Sequence, residues 1–174
     1  MQALTEQARK IKLLIMDVDG VMTDGRIYYN AQGEESKSFY VQDGLGLKLL
    51  QSTGVKLAII SGRADRCVEH RAQALGIDYY FGGVKDKHEA LKELLNRAGV
   101  TAEQCAFIGD DLIDLPVLRR VGLAVAVPAA PALVRQHAHY VTGFPGGQGA
   151  VRELAELIMQ AQGTFDAIVD RFLA

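Results

Sequence analysis

The chain has 174 residues, with 19 lysines and arginines against 21 aspartates and glutamates, a net charge of -2. That balance supplies no basic face for nucleic acid, and 49% hydrophobic with 23% charged residues is ordinary for a globular protein with a sizeable core. No apolar stretch reaches the ~20 residues of a membrane span, and the opening MQALTEQARK has no apolar signal core, so a cytoplasmic protein with no membrane partner is expected.

Taken in chain order, the first apolar run is Ile11–Met16. It is continuous rather than alternating, as a parallel strand covered on both faces should be. The segments Arg26–Asn30 and Glu35–Tyr40 flank Ala31-Gln32-Gly33-Glu34 and read as a hairpin. Placed directly after the first strand, it would stand over that strand's carboxyl end. Further continuous runs follow at Val55–Ile60, Tyr79–Phe81, Cys105–Gly109 and Leu123–Val127. Between and after them come helical stripes: Leu91, Leu94, Leu95, Ala98, and later Leu154, Leu157, Ile158, Ala161. Cys67 and Cys105 have no metal-ligand spacing and read as reduced structural thiols. Gly163-Thr164 marks a helix stop and a new start, and the tail stripe Phe165, Ile168, Val169, Phe172 needs a partner surface. The rhythm predicts one α/β domain over residues 1–174, a three-layer Rossmann-like fold around a central parallel sheet. Its hairpin flap covers about residues 26–40 and its tail about 163–174.

Ligands of such sheets bind at the carboxyl ends of the strands, and three runs end in chemically useful residues. The first ends in Asp17-Val18-Asp19-Gly20, the second in Ser61-Gly62-Arg63, and the fourth in Gly109-Asp110-Asp111 with Asp114 close behind. So many acids at one pocket raise each other's pKa and repel an anionic substrate. A hard divalent cation, magnesium above all, removes both problems. Asp17 is then placed as a nucleophile and Asp19 as the proton donor and acceptor two residues on. Ser61, by hydroxyl and backbone N–H, could hold a phosphoryl oxygen. Lys87, at a helix start, could neutralise phosphate and orient Asp17.

These elements, in this order, resemble the haloacid dehalogenase superfamily of phosphotransferases. The resemblance implies that Asp17, Asp19 (through its main-chain carbonyl) and Asp110 hold Mg2+, with Asp111 and Asp114 ordering the loop behind them. There is no insertion large enough for a cap domain. Asp17–Gly25, Asp43-Gly44-Leu45-Gly46, Ser61-Gly62-Arg63 and Gly146-Gly-Gln-Gly-Ala-Val-Arg152-Glu are similar to the capless branch that includes 3-deoxy-D-manno-octulosonate 8-phosphate phosphatases. That likeness spans about residues 10–165 and implies hydrolysis of a sugar-acid phosphate through a phosphoaspartate on Asp17. It also implies a homotetramer whose tail approaches a neighbouring pocket. The matching substrate contacts are Tyr40, Val41, Gln42, Asp43, Gly44, Lys48, Arg63, Arg71 and Lys87. Tyr40 departs from the smaller polar residue expected there. Guanidinium forks at Arg63 and Arg71 suit the substrate carboxylate, provided a loop or first turn reorients Arg63 toward Arg71.

Two other classes fit less well. A non-catalytic phosphatase-like regulatory domain has no use for Asp19, and a signalling receiver carries its phosphoacceptor on a later strand. A phosphatase of a nine-carbon sugar-acid phosphate is the nearest alternative enzyme. Sustained phosphate release from small phosphomonoesters separates the enzymes from both binding roles.

Overall fold

The structure is a computed structural model and describes residues 2–174. A polar helix, α1 (Gln2–Arg9), leads into β1 (Leu13–Met16), all four of whose residues are buried. The flap follows as β2 (Tyr28–Tyr29) and β3 (Glu35–Ser36), paired antiparallel with Tyr28 opposite Ser36. Next come α2 (Val41–Ser52), β4 (Lys56–Ile60), α3 (Arg66–Leu75), β5 (Tyr79–Phe81) and α4 (Lys87–Ala98). After β6 (Cys105–Gly109) the chain runs through a 3-10 turn at Leu112–Asp114 into α5 (Leu115–Leu118), β7 (Leu123–Ala126), α6 (Ala132–Gln136) and β8 (Tyr140–Val141). The helices α7 (Ala150–Ala161) and α8 (Phe165–Leu173) close the chain.

Six strands form one parallel sheet in the order β5-β4-β1-β6-β7-β8. The five runs read from the sequence are five of these strands; α1 and β8 are additional, one polar and the other only two residues long. The chain leaves β1 toward β4 on one side and comes back to β6 on the other. The crevice beyond the carboxyl end of β1 is therefore where the strand order reverses, the usual ligand position in such sheets. Helices α1, α2 and α7 pack together on one face, and α4 with α5 lies on the other. One hydrophobic cluster threads both layers, from Ala8 through the strands to Ile168.

The tail stripe finds part of its partner surface on its own chain. Ile168 is in the core and Phe165 packs against it, so half of the tail stripe is satisfied by its own chain; Phe172 and Leu173 remain 66% and 78% exposed. Before α7, Gly146 and Gly147 press their backbone against residues 20–24, where a Cβ on Gly146 would collide with the Gly20 carbonyl. The Gly147 N–H donates to Val21 O at 2.9 Å.

Asp43 explains how α2 and α7 are registered. Its side chain is buried and accepts from the Arg152 backbone N–H at 2.8 Å, capping α7 from a residue 109 positions earlier in the chain. Burial pushes its carboxyl up to about 6, against the backbone donors at Arg152 and Gly149. An unfolded chain has lost that proton by pH 5, so this group contributes less to stability as pH rises from about 4 to 6. Asp43→Ala should cost about 1–2 kcal/mol, as loss of a helix cap does. Urea denaturation checks the cost, and Asp43→Asn should weaken the pH dependence between 4 and 6.

Candidate active site

The loop after β1 is wound around a single oxygen. Val18 O accepts from the N–H groups of Val21, Met22 and Thr23 at 3.2, 2.9 and 3.1 Å. The buried Thr23 hydroxyl oxygen accepts from Gly20 N and Gly25 N at 3.3 and 3.2 Å. Gly20 adopts φ +83°, and a Cβ there would strike the Asp110 carboxylate, so only glycine lets the loops of β1 and β6 meet this closely. The result brings Asp110 against the loop that carries Asp17 and Asp19.

Lys87 occupies the first position of α4, whose N-cap Asp86 accepts from His88 N. Its buried ammonium donates to Asp17 Oδ1 at 2.6 Å and to Asp114 Oδ1 at 2.7 Å. Asp114 is wholly buried, and its second oxygen accepts from the Asp110 and Asp111 N–H groups at 2.8 and 3.2 Å. Burial alone would lower the Lys87 pKa, but Asp17 and Asp114 outweigh it and the net shift is upward. Burial pushes Asp17 up to about 6, opposed by the charge of Lys87. Asp110 goes up to about 8, first through burial and then through Asp17, Asp114 and Asp111.

Asp17, Asp110 and Asp114 each bring an oxygen within 4.8 Å of the others. Both oxygens of Asp114 are already engaged, however, which leaves Asp17 and Asp110 as the open carboxylates. Two carboxylates whose protonation is forced upward by their surroundings form a donor set that fits a hard divalent cation. Asp111 lies outside this set: it is exposed and accepts from Leu112 N at 2.7 Å.

Ser61 is buried at the end of β4. Its backbone N–H, expected to face a phosphoryl group, is instead committed to Phe81 O at 2.8 Å by the pairing of β4 with β5. Its hydroxyl oxygen accepts from Arg63 N at 3.2 Å, leaving the hydroxyl proton free to donate. Arg63 lies in the loop before α3 and reaches the flap, with its guanidinium 2.6 Å from Glu35 Oε2 and 3.7 Å from Asp19 Oδ2. Arg71 reaches the other end of the flap, over the Phe39 ring at 5.6 Å and onto Tyr40 O at 3.5 Å. Both arginines therefore hold the flap from below. Val41 and Gln42 are exposed, Tyr40 is half-buried, and Gly44 lies against the Arg71 guanidinium. Lys48 points away: its ammonium sits near Gly76, at the far end of α3. Asp43, as described, faces α7.

One group has no counterpart in the expectations. The Lys37 side chain, fully buried at the base of the flap, places its ammonium 2.7 Å from Asp19 Oδ1, 2.9 Å from Asp65 Oδ2 and 3.4 Å from Glu35 Oε1. Burial would lower its pKa, but Asp19 and Asp65 raise it overall. Asp65, with Lys37 and the Cys67 N–H outweighing its burial, is held down to about 2. In the sequence the only trace is the spacing Glu35-x-Lys37, which in extended backbone turns both side chains to one side; Lys37 itself follows directly after β3.

Comparison with known proteins agrees with this geometry. A family model for haloacid dehalogenase-like hydrolases matches residues 45–122. The 3-deoxy-D-manno-octulosonate 8-phosphate phosphatase of Yersinia pestis is 51% identical over 157 residues, covering 90% of this chain and 84% of that protein. The Escherichia coli K12 phosphatase of the same name is 46% identical, covering 92% and 85%. The crystal structure of the Moraxella catarrhalis phosphatase, in complex with magnesium, phosphate and KDO, superposes with a TM-score of 0.97 at 46% identity over 99% of both chains. The chain thus belongs to the haloacid dehalogenase-like hydrolases and, within them, to the capless family of 3-deoxy-D-manno-octulosonate 8-phosphate phosphatases.

Proposed function

We propose that the protein is a magnesium-dependent phosphatase releasing phosphate from 3-deoxy-D-manno-octulosonate 8-phosphate by way of a phosphoaspartate on Asp17. The observation that carries this reading is the buried Asp17 carboxylate, held by Lys87 beside Asp110, in a chain 51% identical to a phosphatase of that name. Asp17, Asp110 and the Asp19 main-chain carbonyl are the groups that would hold magnesium. When bound, the cation would supply the positive charge that lets clustered acids and an anionic phosphoryl group share one site.

The protein's own groups divide the remaining work. Asp17 attacks phosphorus while Lys87 keeps its carboxylate from rotating and carries part of the local charge. The bond from phosphorus to the sugar oxygen breaks, and Asp19 gives that oxygen a proton. Water then attacks the phosphoaspartate, Asp19 takes its proton, and Asp17 departs as a carboxylate. The Ser61 hydroxyl donates to a phosphoryl oxygen. Arg63 and Arg71, at the two ends of the flap, suit the carboxylate of the sugar acid, which would compete with Glu35 for Arg63. The two free thiols, Cys67 and Cys105, accord with a cytosolic setting.

A homotetramer completes the proposal. Tyr28 and Tyr29 on the flap and Phe172 and Leu173 on the tail are exposed, and a second copy of the chain is the occupant that would cover them. Because Ile168 belongs to the core, the tail is best tested without deleting it. Phe172→Asp with Leu173→Asp should change the mass seen by light scattering or alter KM. A monomeric parent protein would end the shared-site idea.

Asp17→Asn should abolish phosphate release from the sugar-acid phosphate in a protein that still folds, as a cooperative melting curve shows. Wild-type turnover by that variant would refute covalent catalysis at this residue. Metal binding should displace protons from Asp17 and Asp110, whose carboxyls lie at about 6 and about 8. Magnesium affinity should accordingly tighten as pH rises from 6 to 8, by roughly tenfold per pH unit for each proton released. Calorimetry in buffers of different ionisation enthalpy checks this, and a pH-independent affinity would contradict it.

A further inference from the structure

The flap has no core of its own. Its strands are two residues each, and Tyr28 and Tyr29 face solvent. An isolated hairpin of this size is marginal in water, so contacts below must hold it down. Those contacts converge on Lys37, a lysine side chain with no exposed surface. Burying an ammonium is costly unless carboxylates surround it, and here Asp19, Asp65 and Glu35 do. Asp65 is itself fixed, because its other oxygen accepts from Cys67 N at 2.8 Å and caps α3. One end of the arrangement is thus anchored in a helix terminus and the other grips Asp19.

The grip is specific to one oxygen. Lys37 lies against Asp19 Oδ1, while Oδ2 has, among the described residues, only Arg63 Nε at 3.7 Å. A carboxyl proton is strongly disfavoured on an oxygen that lies 2.7 Å from an ammonium. Oδ2 is therefore the oxygen left to exchange a proton with the leaving group or water.

We infer that Lys37 is a positioning residue for the reaction: from the base of the flap it fixes the Asp19 carboxylate, through Oδ1, so that Oδ2 faces the reacting oxygen. The inference rests on Asp19 being the acid and base of the proposed mechanism. Lys37 touches neither substrate nor phosphorus; it acts through Asp19. It also makes the flap a fixed wall, since the flap cannot lift without tearing the ammonium from the two carboxylates beneath it, Asp19 and Asp65.

The test uses the leaving-group dependence of kcat/KM across ring-substituted phenyl phosphates, with magnesium present. None of these carries the sugar acid, so a looser flap that merely weakens binding moves the whole series together. Loss of a placed general acid instead hurts poor leaving groups most. Lys37→Met should lower kcat/KM by roughly 10–10²-fold for phenyl phosphate, within the usual worth of a positioned proton donor, and by less than about threefold for p-nitrophenyl phosphate. Asp19→Asn should steepen the same plot at least as much. A parallel fall for all substrates in Lys37→Met, with a steep plot for Asp19→Asn, would overturn the role of Lys37 alone. A flat plot for Asp19→Asn would instead overturn the acid–base reading of Asp19. If Lys37→Met does not fold, Asp65→Asn removes the far anchor while keeping Lys37. It should steepen the plot in the same direction, and an unchanged slope there would overturn the inference.

Discussion

The Lys87 ammonium lies between Asp17 and Asp114 with almost no access to water. Two buried carboxylates at that distance would not both stay ionised without it. Removing one partner from such a buried arrangement costs about 3–5 kcal/mol, because the charges left behind have no solvent to turn to. The surrounding architecture follows from supplying that cation at that point. It comes from the start of α4, on the crossover from the edge strand β5 to β6, where Lys87 reaches Asp17 after β1 and Asp114 after β6. Asp114 must sit in a tight turn after β6, where its second oxygen can gather the Asp110 and Asp111 amides. Asp110 is thereby held against Gly20.

Two lysines thus serve two carboxylates at the carboxyl end of one strand. Lys87 holds Asp17, and Lys37 lies against Asp19. The loop that carries both acids is braced from behind by the glycine segment before α7. That segment is in turn pinned by Glu153, which accepts from Gly143 N and Phe144 N at 3.0 Å. A site rimmed by short loops gains its rigidity from such backbone contacts rather than from a cap domain.

The layered fold was legible because continuous apolar runs and helical stripes report burial directly. The acids at Asp17, Asp19, Asp110 and Asp114 were legible because each follows such a run at a strand end. What escaped was long-range. Lys37 lies in a polar hairpin and acquires meaning only when the flap folds back onto Asp19 and Asp65. Asp43 read as a substrate contact from its place in a motif, yet its partner is the amide of Arg152, far along the chain. The close packing of Gly146 and Gly147 on residues 20–24 was equally hidden, since local sequence shows glycine's freedom but not the backbone pressed against it. The Ser61 N–H was lost to a neighbouring strand that the register alone reveals. Strand β8 and helix α1 were missed because one is two residues long and the other has almost no buried face.

The central claim is that Asp17 carries the phosphoryl group. Rapid acid quench of the full-length protein during turnover of a sugar-acid phosphate, then borohydride reduction and peptide mass spectrometry, tests it most directly. An acyl phosphate on Asp17 is reduced to homoserine at position 17, and that conversion, dependent on substrate and magnesium, is the predicted result. An unmodified Asp17 during undiminished turnover, or the modification at another carboxylate, would contradict it.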